Sequence, residues 1–176
     1  MGTMNSYMND TCRDNVRMEL HRYENFRSLV EEVDPSVAKD MQNYRILGFN
    51  KLSEWAIASL CDTTWTDDTG MDFSNGMDLK MANIQEHKTN GSNCIDIGNL
   101  TAKTGDIIVI SYDTEYQEFR FFLLPYAEWK TNYNPNRKRG CINMHFPRTK
   151  ESTVWWAKHE KKSLKELVKT VRKASK

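Results

Sequence analysis

The chain lacks several features that would place it at once. No window stays apolar for the ~18 residues that a membrane helix needs, so no membrane span is expected. Met1 to Asp10 is polar and has no apolar middle of the kind a secretory signal carries. This stretch reads as disordered or as an expression remnant, and is set aside. The four cysteines, Cys12, Cys61, Cys94 and Cys141, lie far apart, and none belongs to a CxxC pair. That argues against a zinc knuckle, a redox motif or a disulfide framework, and leaves reduced thiols in a cytoplasmic protein as the expectation. Internal repeats and low-complexity runs are missing. So are a phosphate-cradling glycine loop, a nucleophile elbow and a dinucleotide fingerprint, so no nucleotide cofactor is expected.

What is present is an ordinary globular balance. Hydrophobic residues make up 39% and charged residues 28% of 176, enough for one domain with its own core. The net charge of +1 conceals a division. Residues 1–80 hold 8 Lys and Arg against 14 Asp and Glu; residues 81–176 hold 17 against 10. A chain divided in this way can turn a basic face to a polyanion while acidic groups gather elsewhere; chance is the plainer account.

Hydrophobic spacing predicts a helix over Asn15 to Val33, ended by Asp34-Pro35. A second short helix is expected over Ser36 to Tyr44, and a third over Lys51 to Cys61 with Asn50 as its cap. Met77 to Met81 and Asn83 to Thr89 read as a hairpin with a tight turn. Asp106 to Tyr112 contains the run Ile-Ile-Val-Ile, the mark of a strand buried on both faces. Strands are expected over Glu118 to Leu124 and Ser152 to Ala157, a helical turn over Tyr126 to Lys130, and a loop over Asn132 to Gly140. Ser163 and Glu166 form a capping box before the apolar stripe Leu164, Leu167, Val168, Val171. The order implies an α/β domain, a central mixed β-sheet flanked by α-helices.

The chemically informative stretch is Gly76-Met-Asp78-Leu-Lys-Met-Ala-Asn-Ile-Gln-Glu86-His-Lys88-Thr. Glu86 and Lys88 are two apart, so on a strand they share a face. A tight turn would fold Asp78 back beside Glu86. Two carboxylates and a lysine would then meet at a sheet edge, a set that suits Mg²⁺ with open water positions. The plainer account is a solvated surface hairpin.

An Asp, a short hairpin and then Glu-x-Lys resembles the PD-(D/E)xK nuclease superfamily, which includes many type II restriction endonucleases and some junction resolvases. The resemblance covers roughly residues 48 to 125. It implies a restriction endonuclease-like fold and Mg²⁺-dependent DNA cleavage, with Mn²⁺ as a substitute. It assigns Asp78 and Glu86 to the metal, Lys88 to the attacking water, and the backbone carbonyl of His87 to a further metal ligand. Glu54, on the preceding helix, fits the family's helix glutamate. Two departures stand out: no Pro precedes Asp78, and His87 occupies a place that is usually apolar. Asp72, in Gly70-Met-Asp72-Phe, is a rival first carboxylate because it repeats the local shape of Gly76-Met-Asp78-Leu.

On this reading residues 1–176 form one nuclease domain, with a helical region over 11–47, a catalytic core over 48–125 and a basic part over 126–176. Arg137, Lys138 and Arg139 are candidate contacts to double-stranded DNA; a solvated loop is the alternative. Cutting both strands of a two-fold site suggests a homodimer, and the long first helix is a candidate dimer element. A Holliday junction resolvase or repair nuclease with the same core is a rival. So is a catalytically inactive protein that binds DNA or a partner.

Overall fold

The computed structural model describes residues 4–66, 70–86, 93–113, 116–146 and 154–176; for residues 4–16, 18, 85 and 86 it describes the backbone. Helix α1 runs over Met4–Val33. No glycine or proline interrupts these residues, so the helix takes in most of the stretch expected to be disordered. Pro35 pushes Asp34 into extended backbone. There the Asp34 carboxylate accepts hydrogen bonds from the Ser36 and Val37 amides and caps α2, Pro35–Met41. A 3₁₀ turn, Gln42–Leu47, leads to α3, Phe49–Leu60. Gly48, at φ +76°, stands at the start of α3, and Asn50 lies inside the helix.

The strands are β1, Asp78–Glu86; β2, Asn93–Ile97; β3, Ile107–Asp113; β4, Glu118–Leu124; β5, Tyr133–Asn134; β6, Cys141–Phe146; and β7, Glu160–Lys161. Helix α4 is Tyr126–Thr131, and α5 is Leu164–Ala174. The sheet is mixed, in the order β5-β6-β2-β1-β3-β4-β7. β1 and β3 are parallel, paired from Asp78↔Ile107 to Ile84↔Asp113; the other pairs are antiparallel.

Side chains alternate along the central strands. Ile108, Ile110, Phe121 and Leu123 face a core built with α1, α2, α3 and α5. Ile107, Val109, Phe122 and Leu124 face a second core with Trp129, Ile142, Phe146 and Trp156. The rings of Phe122 on β4 and Phe146 on β6 are 6.3 Å apart. In a flat sheet those strands would stand roughly 19 Å apart, at about 4.8 Å per step. The sheet therefore curls, and β6 closes over a face that α4 and the 3₁₀ turn at Ala157–His159 also cover. No helix among the described residues is long and apolar enough to cross a membrane.

Three expected elements differ, the smallest being the loop over Asn132 to Gly140, which holds the two-residue strand β5. The hairpin expected over 77–89 is, over 78–86, the single strand β1, and residues 87–89 lie outside the described residues. Seven consecutive pairings with β3 override the weak strand preference of Ala82-Asn83. The described part of 152–157 is turn that leads into a 3₁₀ turn, Ala157–His159. Trp156 anchors it against Phe146, with ring centres 4.7 Å apart. At α5 the Glu166 amide donates to Ser163 Oγ, while the Glu166 carboxylate accepts from the Lys162 amide. The capping box thus reaches one residue further back than usual.

Candidate active site

A group of buried charges gathers where β1 begins. Asp78 is 2% exposed, Asp72 7%, Glu54 8% and Lys103 7%. Each is placed by backbone. Asp78 opens β1, and its amide donates to the Asp106 carbonyl beside β3. The chain turns tightly just before it: the Asp72 and Phe73 amides both donate to the Met77 carbonyl, and Gly76 donates to Phe73. Gly76 takes φ +85°. Gly105 packs so closely on this turn that a Cβ would run into the Gly76 carbonyl. Trp129 fixes Gly105 from the other side by donating its indole N–H to the Gly105 carbonyl at 3.0 Å.

The turn brings Asp72 back over β1, where its Oδ2 accepts the Leu79 amide at 2.8 Å. Thr66 donates its amide to the Asp72 carbonyl, and Trp65 bridges Phe73. The Trp65 indole donates to Glu54 Oε2 at 2.9 Å, and Lys51 Nζ stands 3.2 Å from the same oxygen. Helix α3, the Trp65 segment and the start of β1 thus share one chain of contacts.

Asp78 stands between two ammonium groups. Lys103 Nζ donates to Oδ1 at 2.5 Å. Lys80, two residues along on the same face of β1, has its Nζ 2.9 Å from Oδ2. That second contact is an ion pair by distance without hydrogen-bond geometry, so Oδ2 is buried with no hydrogen-bond donor. Burial raises the Asp72 carboxyl to about 6, with the charges of Asp78 and Glu54 adding to the shift and the Leu79 amide opposing it. Asp72 also lies within hydrogen-bonding reach of Asp78, a bond available when Asp72 carries the proton.

Glu54, Asp72 and Asp78 are therefore brought together. Glu86 is not with them. It ends β1, eight residues from Asp78, which a strand's rise puts roughly 26 Å away. There its backbone pairs with Asn93. One ion cannot bridge Asp78 and Glu86 as the hairpin would have allowed. His87 and Lys88 lie outside the described residues.

Lys80 and Lys103 escaped the sequence reading. Lys80 had a usable signal: Asp78-Leu79-Lys80 has the spacing of Glu86-x-Lys88, with an apolar middle residue and an earlier carboxylate at Asp72. Lys103 had none, because its partner lies 25 residues away.

Arg137, Lys138 and Arg139 fall in the β5–β6 connection, where Lys138, Arg139 and Gly140 all have positive φ. Arg137 and Lys138 reach Asp96 Oδ2 at 2.8 and 2.7 Å, and Asn143 donates to Oδ1. Partial burial works against the Asp96 charge, but the Lys138 and Asn143 hydrogen bonds and the two cations hold its carboxyl below the ordinary range. The Lys138, Arg139 and Gly140 carbonyls accept the amides of Asn99, Thr101 and Leu100. The basic loop thus braces the segment that carries Lys103.

Among the described residues no three His, Cys, Asp or Glu side chains form a cluster that could hold a metal ion. Asp72 and Asp78 offer two hard carboxylates, one with a buried oxygen that lacks a hydrogen bond. That set fits a hydrated Mg²⁺ or Mn²⁺, which is often held by one or two carboxylates and keeps several waters.

No known family model matches the chain, and no curated protein matches it in sequence.

Proposed function

We propose that the protein is a Mg²⁺-dependent DNA endonuclease of the PD-(D/E)xK type, with the pattern displaced from Glu86-x-Lys88 to Asp72 and Asp78-x-Lys80. The observation that carries this is the pair of facing, buried carboxyls, Asp72 and Asp78, with Lys80 beside Asp78 on the same strand face. Asp72 and Asp78 would hold the ion, and Mn²⁺ would substitute. The bound ion supplies polarisation of the phosphate and acidification of a water.

The chain's own groups do the rest. The Lys80 ammonium stabilises charge that develops on the phosphate. Glu54, pinned by Trp65 and Lys51, orients water at the edge of the site. The basic second half of the chain supplies attraction to the DNA backbone. A restriction-type enzyme that cuts both strands would act as a homodimer.

One observation favours a second reading, a catalytically inactive protein that binds DNA or a partner. Lys103 and Lys80 already balance Asp78, and Lys51 balances Glu54, as in a purely structural ion cluster. Digestion of phage or plasmid DNA with Mg²⁺, beside EDTA and Asp78→Asn controls, separates the two. Discrete fragments that vanish in both controls support the nuclease. Lys80→Met should lose ~10²-fold or more in rate while it keeps DNA binding. Linear and branched DNA that both stay intact would leave the binding protein as the reading.

A further inference from the structure

Helix α5 turns two different faces in opposite directions. Leu164, Leu167, Val168 and Val171 are buried in the helix-packed core. Lys165, Lys169 and Lys173 follow one another at four-residue spacing with Arg172 beside them, so the four share a sector of roughly 100° on the outer face. Each is exposed, as are Lys162 just before the helix and Lys176 just after it. The helix carries one acidic residue, Glu166, whose carboxylate accepts the Lys162 amide at 2.8 Å. Arg172 pairs with Asp62 at 3.2 Å, while Lys162, Lys165, Lys169, Lys173 and Lys176 have no ion pair among the described residues. The basic loop differs, because Arg137 and Lys138 are both committed to Asp96. The stripe on α5 also leads to the candidate site. At its far end Arg172 Nε donates to the Leu60 carbonyl, where α3 ends, and Asn75 donates to Ser175 Oγ at 3.0 Å. Asn75 in turn accepts the Met77 amide, within the turn that brings Asp72 back over β1.

We propose that this stripe holds the phosphate backbone of a nucleic acid and leads it toward the Asn75 turn. The proposal rests on nucleic acid as the partner in the proposed function, and neither on a metal nor on cleavage. Evenly spaced, unpaired ammonium groups on a helix complement an evenly charged polyanion, and they release the counterions condensed on it. An anionic membrane offers similar charge. A helix that lies in a membrane interface, however, buries its apolar face there, and the apolar face of α5 is already buried in the core.

The test is fluorescence anisotropy of a short labelled DNA duplex with full-length protein in EDTA, from about 50 to 200 mM KCl. The triple variant Lys165→Gln, Lys169→Gln, Lys173→Gln should bind on the order of tenfold more weakly than the wild type at about 0.1 M salt. Its slope of log affinity against log salt should be shallower by roughly 2–3. Arginine at the same three positions should keep binding within about threefold. So should Arg17→Gln, Lys39→Gln, Lys158→Gln, which removes the same charge from elsewhere. Wild-type affinity and slope in the folded glutamine triple, or an equal loss in the second triple, overturns the inference. Wild-type protein that ignores the duplex at about 50 mM salt also overturns it, and cosedimentation with phosphatidylserine-containing vesicles in that case assigns the stripe to a membrane. Stripe-dependent binding of DNA that stays intact with Mg²⁺ supports the inference while the nuclease reading falls. Cleavage with no dependence on the stripe does the reverse. Should the glutamine triple fail to fold, lysine acetylation of the wild type read by mass spectrometry decides. The duplex should protect Lys165, Lys169 and Lys173, and equal labelling with and without it overturns the inference.

Discussion

Two places in this molecule set an aspartate between two cations, and they have little else in common. Asp78 is 2% exposed and lies between Lys80 and Lys103, on the face of β1 opposite the helix-packed Leu79 and Met81. Asp96 lies on β2, on the face opposite the buried Ile95 and Ile97, between Arg137 and Lys138, which are 54% and 53% exposed. Asp96 is the better satisfied of the two, with both oxygens hydrogen-bonded. Asp78 leaves one oxygen without a donor and faces a second carboxylate. A surface cluster of this kind contributes little to stability and is screened by salt. A buried one costs desolvation that its attractions barely offset. The difference teaches that the imperfect, costly cluster is the one to read for chemistry.

The sharpest way to break the comparison is to remove each aspartate. Asp78→Ala leaves Lys103 buried without a counter-charge and should destabilise the fold by roughly 3–5 kcal/mol in urea denaturation. A change below ~1 kcal/mol would make the buried cluster equivalent to the surface one.

Asp72→Asn should act in the opposite direction. The Asp72 carboxyl lies at about 6 in the fold against 3.8 for an ordinary aspartate. The native state therefore binds the proton more tightly than the unfolded state does, and ionised Asp72 destabilises the fold. That cost is relieved as pH falls through 6 and is absent below the ordinary value. An asparagine can still accept from Leu79 and donate to Asp78. It should raise stability by roughly 2 kcal/mol at pH 7, a gain that shrinks to nothing by about pH 4, while abolishing the proposed cleavage. Thermal melts of both proteins across that range would show it, and a gap that widens toward acid would reverse the sign.

Smaller effects sharpen the contrast. Glu86→Ala, at the remote end of β1, should leave the proposed Mg²⁺-dependent cleavage within about threefold of wild type, less than ~0.7 kcal/mol in barrier. A loss comparable to that of Asp78→Asn would restore Glu86 to the site. Asp96→Asn should cost under ~1 kcal/mol, and less at high salt, in the same denaturation assay.

Much of the frame was legible in the chain. The β-branched run of β3 and the apolar stripe of α5 each carry their own periodicity, and β3 is buried at six of its seven positions. The site was legible only in pieces. Asp78, Asp72 and Glu54 could be picked out as carboxylates in suggestive places, but the partner set depended on whether 78–86 turned or ran straight. That choice is made by pairing with β3, more than twenty residues downstream, and nothing local to Met81-Ala82-Asn83 announces it. Helix α1 exceeds its expected length for a related reason: its first residues are polar, a mark shared with disordered chain, yet nothing in them breaks a helix.

The parallel pairing of β1 with β3 has a kinetic consequence. Its two strands are separated by the whole of β2, whose other partner, β6, lies some fifty residues away. Closing such distant pairings costs chain entropy before it gains contacts. The helices can form early from local order, whereas the cradle around Asp78 exists only after β1, the Gly76 turn and the Lys103 segment have met. Substitutions at Asp72 or Lys103 should therefore change the rate of unfolding and leave the rate of folding nearly untouched, the signature of a cluster that assembles after the folding barrier has been crossed.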